Sequence, residues 1–213
     1  LLRVLAVDRL DRVRLDAIVH VRRRAVRVDV ADVRGSEPRV AERFAQLRVG
    51  SHVMDLDCGP LISATQKKRV EGFIQRAKAE GVKVLAEATI AEGTPAGGFY
   101  VAPTLFGPVP RTNALACDEV FGPVLSAIPF EDEADAIKLA NSTEFGLVAG
   151  IWSGNGARQM RVAKGMRCGQ VYINTYGAGG GVELPFGGVK RSGHGREKGF
   201  GTGHGRRSVK PTG

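Results

Sequence analysis

The chain has 213 residues, a formal net charge of +9 at pH 7, 43% hydrophobic residues and 25% charged residues. This composition is typical of a folded globular protein and excludes disordered, collagen-like and disulfide-scaffold proteins, and the length suits one main domain with a buried core. The excess positive charge is confined to the two ends, +3 over residues 1–38 and +6 over residues 190–213, and residues 39–189 are neutral. A neutral body argues against a nucleic-acid partner.

Cysteine and histidine usage bounds the chemistry further. Three widely spaced cysteines, Cys58, Cys117 and Cys168, indicate neither a disulfide framework nor a paired-cysteine zinc site, so we expect a cytoplasmic, reducing setting. The four histidines show no ligand spacing, and we predict no metal site. No run of about 18 apolar residues occurs, and the first residues lack the features of a signal peptide, so we expect no membrane segment.

The two ends differ in composition from the rest of the chain. The stretch VRVDVADVR (26–34) alternates apolar and charged residues, which predicts a half-buried edge strand, with a segment of no defined structure as the alternative. One hypothesis is that both ends are translated from a shifted reading frame of a GC-rich gene, which reading the coding DNA in its other frames would test. We therefore divide the chain into an atypical segment 1–38, a body 39–200 and a Gly/Arg-rich tail 201–213.

Two helices are predicted in the first part of the body. RVAERFAQLRVG has apolar residues at helical spacing and predicts a helix that ends at Gly50. SATQKKRVEGFIQRAKAEG predicts a longer helix that begins with a capping box formed by Ser63 and Gln66 and ends at Gly81.

Strands and helices alternate in the remainder of the body. Strands are predicted over residues 82–87, 99–106, 124–130, 147–153 and 170–174, and helices over residues 131–142 and 155–169. This order predicts an α/β fold with a mostly parallel, helix-covered sheet.

Two glycine-rich stretches fail as phosphate-binding loops. GAGGGV lacks the last glycine of the dinucleotide fingerprint. GVKRSGH (188–194) has the glycine spacing of a P-loop but carries His194 where that loop needs a lysine. Both stretches are interpreted as turns.

The stretch DEVFGPV, residues 118–124, is the best candidate for a binding site. A carboxylate such as Glu119 can accept two hydrogen bonds from a vicinal diol and therefore suits a nucleotide ribose. The Gly-Pro pair after Phe121 would fix both side chains relative to the next strand. The alternative is a solvated acidic turn.

Several motifs in one order resemble the C-terminal, catalytic-domain half of the NAD(P)-dependent aldehyde dehydrogenase superfamily. They are GPLIS with its helix, FYVAPTLF, DEVFGPV, LANSTEFGLVAGIWS, VYIN and PFGGVKRSGHGRE, between about residue 39 and about residue 199. The resemblance implies an incomplete aldehyde dehydrogenase catalytic-domain-like fold. It also implies the family's reaction: a cysteine thiolate attacks an aldehyde, hydride passes to NAD(P)+, and the thioester is hydrolysed to a carboxylic acid.

The same resemblance implies roles for three residues. Glu119 corresponds to the glutamate that holds the nicotinamide ribose, and Phe121 to the aromatic residue beside the nicotinamide. Phe186 corresponds to an aromatic residue that lines the substrate tunnel. The implied cofactor is NAD or NADP and the implied substrate a small aldehyde. The sequence leaves open which of each is used.

The family's nucleophile and general-base glutamate have no counterpart here, so we assign no catalytic residue. None of the cysteines follows a Gly-Gln pair ahead of GPLIS, and we expect the 213 residues alone to be inactive and to bind NAD(P)+ poorly. The resemblance implies a homo-oligomer, although residues after 200 do not match the family's terminal helix and assembly strand. The alternatives are a non-catalytic module that docks on full-length aldehyde dehydrogenase subunits and, against the neutral body, a basic nucleic-acid-binding protein.

Overall fold

The computed structural model describes residues 2–6, 28–31, 37–175 and 184–197. The helices of these residues are α1 Glu37–Ala45, α2 Ala64–Ala79, α3 Ala114–Cys117, α4 Glu133–Asn141 and α5 Gly156–Gly165, with a short 3-10 helix at His52–Met54. The strands are β1 Leu2–Ala6, β2 Val28–Ala31, β3 Arg48–Val49, β4 Val84–Glu87, β5 Thr89–Ile90, β6 Thr104–Phe106, β7 Val124–Ile128, β8 Phe145–Gly146, β9 Val148–Trp152, β10 Gln170–Ile173 and β11 Val189–Lys190. Among the helices of the described residues, none combines the length and the hydropathy of a transmembrane span.

Seven strands form one sheet in the order β10-β9-β1-β2-β7-β6-β4. All neighbours in it run parallel except β4 and β6, which pair antiparallel. Every residue of β7 and of β9 is buried. This burial suits strands of a parallel sheet that is covered on both faces. The predicted α/β fold with a mostly parallel sheet is confirmed.

The prediction of an edge strand within residues 26–34 is wrong. β2 is shorter than the alternating stretch and lies inside the sheet, between β1 and β7. Alternation reports which face of a strand is apolar and carries no information about which strands pair with its edges.

The predicted boundaries at residues 38 and 200 stay predictions, and the tail 201–213 lies outside the described residues.

Two predicted helix ends are also wrong. The first helix ends at Ala45 and not at Gly50, because Arg48 and Val49 form β3, where Arg48 is exposed and Val49 is buried. α5 ends at Gly165, four residues before the predicted glycine. Asn141 at the end of α4 binds the end of α5: its amide donates to the Gly165 carbonyl at 2.7 Å, and its oxygen accepts from the Arg167 amide at 2.7 Å.

The hydrophobic core lies between the sheet and helices α2, α4 and α5. The buried face of α2 contributes Val70, Phe73, Ile74 and Ala77. Each large aliphatic or aromatic side chain buried in this way contributes about 1.5–3 kcal/mol. α2 is therefore fixed against the sheet and provides a firm support for whatever its outer face contacts.

Candidate functional site

The loop that carries Glu119 and Phe121 is anchored at both ends. Before it, α3 begins at Asn113, whose side-chain oxygen accepts from the Leu115 amide at 2.9 Å. Leu115 is fully buried, and its carbonyl accepts from the Ser126 hydroxyl at 3.3 Å. After the loop, β7 enters the centre of the core. Both ends of the loop are thus fixed to the sheet.

Phe121 has a backbone conformation that is rare for its residue type. Its φ is +54°, in the left-handed region, which costs a residue with a side chain roughly 1–2 kcal/mol. Val120 is 1% exposed, whereas Phe121 is 56% exposed. The turn therefore buries the valine and directs the aromatic ring outward. Glu119 is half-buried beside them.

Helix α2 holds the backbone of this loop. Gln66 donates from Nε2 to the carbonyls of Val120 at 3.1 Å and Phe121 at 2.9 Å. Arg69 donates from Nη1 to the Val120 carbonyl and from Nη2 to the Glu119 carbonyl, both at 2.6 Å. Three successive carbonyls thus accept from two side chains on one helix.

The predicted capping box is therefore only half right. The Ser63 hydroxyl caps α2 by accepting from the Gln66 amide at 3.1 Å. The side chain of Gln66, which a capping box would turn back to Ser63, instead reaches the loop 54 and 55 residues later in the chain.

Aromatic rings and a glycine make further contacts between the loop and α2. The Arg69 guanidinium lies 5.0 Å from the centroid of the Phe73 ring and 5.8 Å from that of Phe121, within the range of cation–π attraction. A Cβ at Gly122 would lie 2.5 Å from a methyl carbon of Val70. Only glycine allows the loop to approach the helix so closely.

Phe186 lies on a separate segment, residues 184–197. Its amide and carbonyl pair with those of Glu197, with both N···O distances 2.6 Å. Gly169 lies against the neighbouring backbone so closely that a Cβ there would be 1.6 Å from the Gly187 carbonyl oxygen. Lys190 donates to the carbonyls of Asn141 and Thr143 at 2.9 and 3.0 Å. The segment is therefore packed on the end of α4 and beside β10.

One charge contact relates this segment to the candidate loop. Arg191 donates to Glu144 at 2.6 Å, and this hydrogen bond is the main reason that the pKa of Arg191 is raised. The negative charge of Asp118 raises the pKa of Arg191 further. Asp118 precedes Glu119, so Arg191 of the segment 184–197 lies near the start of the candidate loop.

A hollow at the ends of α4 and α5 is separate from this site. Its lining includes Ala140, Phe145, Ala149, Met166 and Cys168. Neither the Glu119–Phe121 loop nor Phe186 contributes to the lining.

The surroundings of two cysteines oppose nucleophilic chemistry. Burial, with the negative charge of Asp57, raises the pKa of Cys58 to about 11. Burial also raises the pKa of Cys168, whose thiol donates to the Gln170 carbonyl at 3.1 Å. A catalytic thiol needs a lowered pKa. The third cysteine, Cys117, is exposed.

The described residues contain no group of three or more His, Cys, Asp or Glu side chains that could hold a metal ion.

Two residues at the site were not predicted as such. Gln66 was assigned only to the helix cap, and Arg69 was assigned no role. The available signal was their spacing, because residues three apart on a helix lie on one face. A paired polar face of this kind is common on solvated helices, so spacing alone does not identify their partner.

Comparison with known proteins supports the resemblance described above. The sequence model of the aldehyde dehydrogenase family matches residues 20–206. The betaine aldehyde dehydrogenase of Cereibacter sphaeroides strain KD131 is 42% identical over 162 residues, which are 76% of this chain and 33% of that protein.

Solved structures of aldehyde dehydrogenases have the same fold as this chain. A protein from Burkholderia cenocepacia assigned to the aldehyde dehydrogenases is 47% identical, with a TM-score of 0.82 over 93% of this chain and 44% of that one. The Staphylococcus aureus betaine aldehyde dehydrogenase, solved with NAD+, is 26% identical, with a TM-score of 0.82 over 93% of this chain and 42% of that one. The Mycobacterium tuberculosis aldehyde dehydrogenase, also solved with NAD+, is 30% identical, with a TM-score of 0.78 over 92% of this chain and 43% of that one.

The chain spans about a third of the curated relative and less than half of each of these structures. The family match covers most of its residues, and the same fold occurs in its solved relatives. The chain belongs to the aldehyde dehydrogenase family.

Proposed function

We propose that this chain is the nicotinamide-facing part of an aldehyde dehydrogenase catalytic domain, and that the complete enzyme oxidises a small aldehyde to a carboxylic acid with NAD(P)+. The observation that carries the proposal is the loop fixed on α2, with a half-buried Glu119 next to an outward-facing Phe121 ring. NAD(P)+, when bound, accepts the hydride that leaves the substrate carbon.

The two side chains have complementary tasks in this proposal. The carboxylate of Glu119 accepts hydrogen bonds from the two hydroxyls of the nicotinamide ribose. The ring of Phe121, 56% exposed, offers an apolar face against which the nicotinamide packs. Phe186 lines the aldehyde side of the same site. The complexes of two relatives with NAD+ support this cofactor class.

The 213 residues alone are proposed to be inactive. Cys58 and Cys168 have raised pKa values, so neither thiol is activated as a nucleophile. All three cysteines are free, which suits an enzyme of the cytoplasm or another reducing compartment. An assay of NAD(P)H formation at 340 nm with a panel of aldehydes should give no rate above background, and calorimetry should detect no micromolar binding of NAD+ or NADP+. A rate above background would contradict the inactivity, and micromolar binding would contradict the expected poor binding of the cofactor.

A fragment experiment tests the ribose site itself. Saturation-transfer NMR with nicotinamide mononucleotide should show weak transfer to its ribose and ring protons, and free nicotinamide, which lacks the ribose, should show weaker transfer. Glu119→Gln should weaken the ribose signals, because the amide keeps one acceptor oxygen but loses the second acceptor and the negative charge. Equal transfer to both ligands, or no effect of the substitution, would refute the proposed role of Glu119.

The sequence-based alternative, a module that docks on full-length aldehyde dehydrogenase subunits, stays a prediction. So does homo-oligomer formation. Co-purification with an intact homologue tests the first, and light scattering of the purified chain tests the second.

A further inference from the structure

The hydrogen bonds between α2 and the candidate loop converge on an unusual target. All four come from Gln66 and Arg69, and all end on the main-chain oxygens of residues 119–121. The two donors are three residues apart, so they lie on one face of the helix. One short surface of α2 therefore fixes three consecutive peptide groups.

These hydrogen bonds stabilise the strained backbone conformation of the loop. A bulky residue such as Phe121 at a φ of +54° persists only where its surroundings determine it. The carbonyls of Val120 and Phe121, which belong to the peptide groups on either side of the Phe121 Cα, are bound by α2. These contacts hold the turn in the conformation that turns the Phe121 ring away from buried Val120.

We propose that Arg69 and Gln66 are positioning residues of the candidate site: they hold the Glu119–Phe121 backbone in the geometry that presents the carboxylate and the ring together. This inference rests on the proposed function for its meaning, although the contacts themselves do not depend on it.

Of the two residues, Arg69 contributes more to holding the loop because its guanidinium group is planar and can donate to two carbonyls at once. Its planar fork binds two successive carbonyls, of Glu119 and Val120, at 2.6 Å each. The same group lies over the rings of Phe73 and Phe121. A lysine at this position has one point charge and no planar fork. Arg69→Lys should therefore preserve only part of the positioning.

The chain offers a matched control on the same helix. Arg76 lies 5.4 Å from the centroid of the Phe73 ring, about two turns beyond Arg69. Arg76→Met therefore removes a cation from one of the rings that Arg69 covers, while the four bonds to the loop stay in place.

The test combines two readouts on the full 213-residue chain. The first is the carbonyl ¹³C shift of residues 119–121 in an HNCO spectrum, which reports hydrogen bonding at each oxygen. All three are observable because the residues that follow them, Val120, Phe121 and Gly122, carry an amide proton. The second is saturation transfer to nicotinamide mononucleotide. Near-UV circular dichroism checks that each variant is folded.

Arg69→Met should move the Glu119 and Val120 carbonyl shifts upfield and weaken the nucleotide contact about tenfold, as expected for the loss of a charge-assisted hydrogen bond. Gln66→Leu should move the Phe121 shift, Arg69→Lys should give an intermediate result, and Arg76→Met should resemble the unmodified chain. Unchanged carbonyl shifts in folded Arg69→Met, or an equal effect of Arg76→Met, would overturn the inference. If the unmodified chain shows no transfer while the carbonyl shifts respond as described, the proposed function fails and the positioning contacts stand.

Discussion

Replacing Gly122 with alanine directly tests the close contact between the candidate loop and helix α2. A Cβ at Gly122 would lie 2.5 and 2.7 Å from the two methyl carbons of Val70, where ordinary carbon contacts are about 3.5–4.0 Å. Val70 is fully buried in α2, and a β-branched side chain in a helix has essentially one rotamer. The loop must therefore move by about 1 Å away from the helix.

Overpacking of this kind costs about 1–3 kcal/mol. We expect Gly122→Ala to lower the free energy of unfolding by that amount in urea denaturation. Trp152 is the only tryptophan and is 1% exposed, so its fluorescence reports the transition. Gly122 does not lie in the left-handed region, so the cost is steric.

Two further variants separate the steric contact from other effects. Gly72 lies in the same helix with open space around it, so Gly72→Ala should instead stabilise the chain by about 0.5–1 kcal/mol. Val70→Ala should cost about 2 kcal/mol, and in the double variant with Gly122→Ala the cost should fall below the sum by more than about 1 kcal/mol. A stability of Gly122→Ala within about 0.5 kcal/mol of the unmodified chain, or additive costs in the double variant, would refute the close contact.

Other contacts give further predictions. The hydrogen bond from Arg111, with a smaller contribution from a backbone amide, lowers the pKa of Asp135 from 3.8 to about 2, so its stabilising effect is complete only above about pH 5 and is lost as the pH falls through 2. The urea midpoint of Asp135→Asn should therefore decrease less over this range than that of the unmodified chain, and an equal decrease would contradict the ion pair. At pH 8 a disulfide reagent should label exposed Cys117 first and Cys58 last, because a thiol with a pKa of about 11 is about one part in a thousand thiolate; rapid labelling of Cys58 in the folded chain would argue against its burial. Gly169→Ala places a Cβ 1.6 Å from a backbone oxygen and should destabilise the chain more than Gly122→Ala in the same titration; a smaller effect would show that the two backbones are further apart.

The order of the main helices and strands of the body was predictable from the sequence because it depends on local patterns, whereas the short elements β3, β5, β8, β11 and α3, and β1 near the start of the chain, were not predicted. Residues 131–142 begin with acidic side chains and carry an apolar stripe, and α4 lies within this range with Asp132 as its cap. The central strands were predicted because β7 and β9 consist of apolar residues and glycine, with Ser126 as the exception. Such signals arise within one element and need no knowledge of its neighbours.

The errors came from contacts between distant parts of the chain. The end of α5 is bound by Asn141 of another helix, and nothing in residues 155–169 indicates that partner. The interior place of β2 depends on its pairing with β1 and β7. Glu119 and Phe121 were assigned to the candidate site by their motif, which stays a prediction, whereas Arg69 was assigned no role because its partners lie 50 and 51 residues away.

The bonds from α2 to the loop end on peptide oxygens, which every amino acid possesses. These hydrogen bonds are therefore independent of which side chains stand at positions 119 and 121. Exchanging either side chain changes what the loop recognises while the bonds that hold it persist, so substitutions there report ligand chemistry and substitutions in α2 report architecture. Natural variation or protein engineering could accordingly alter recognition at this loop without rebuilding its support.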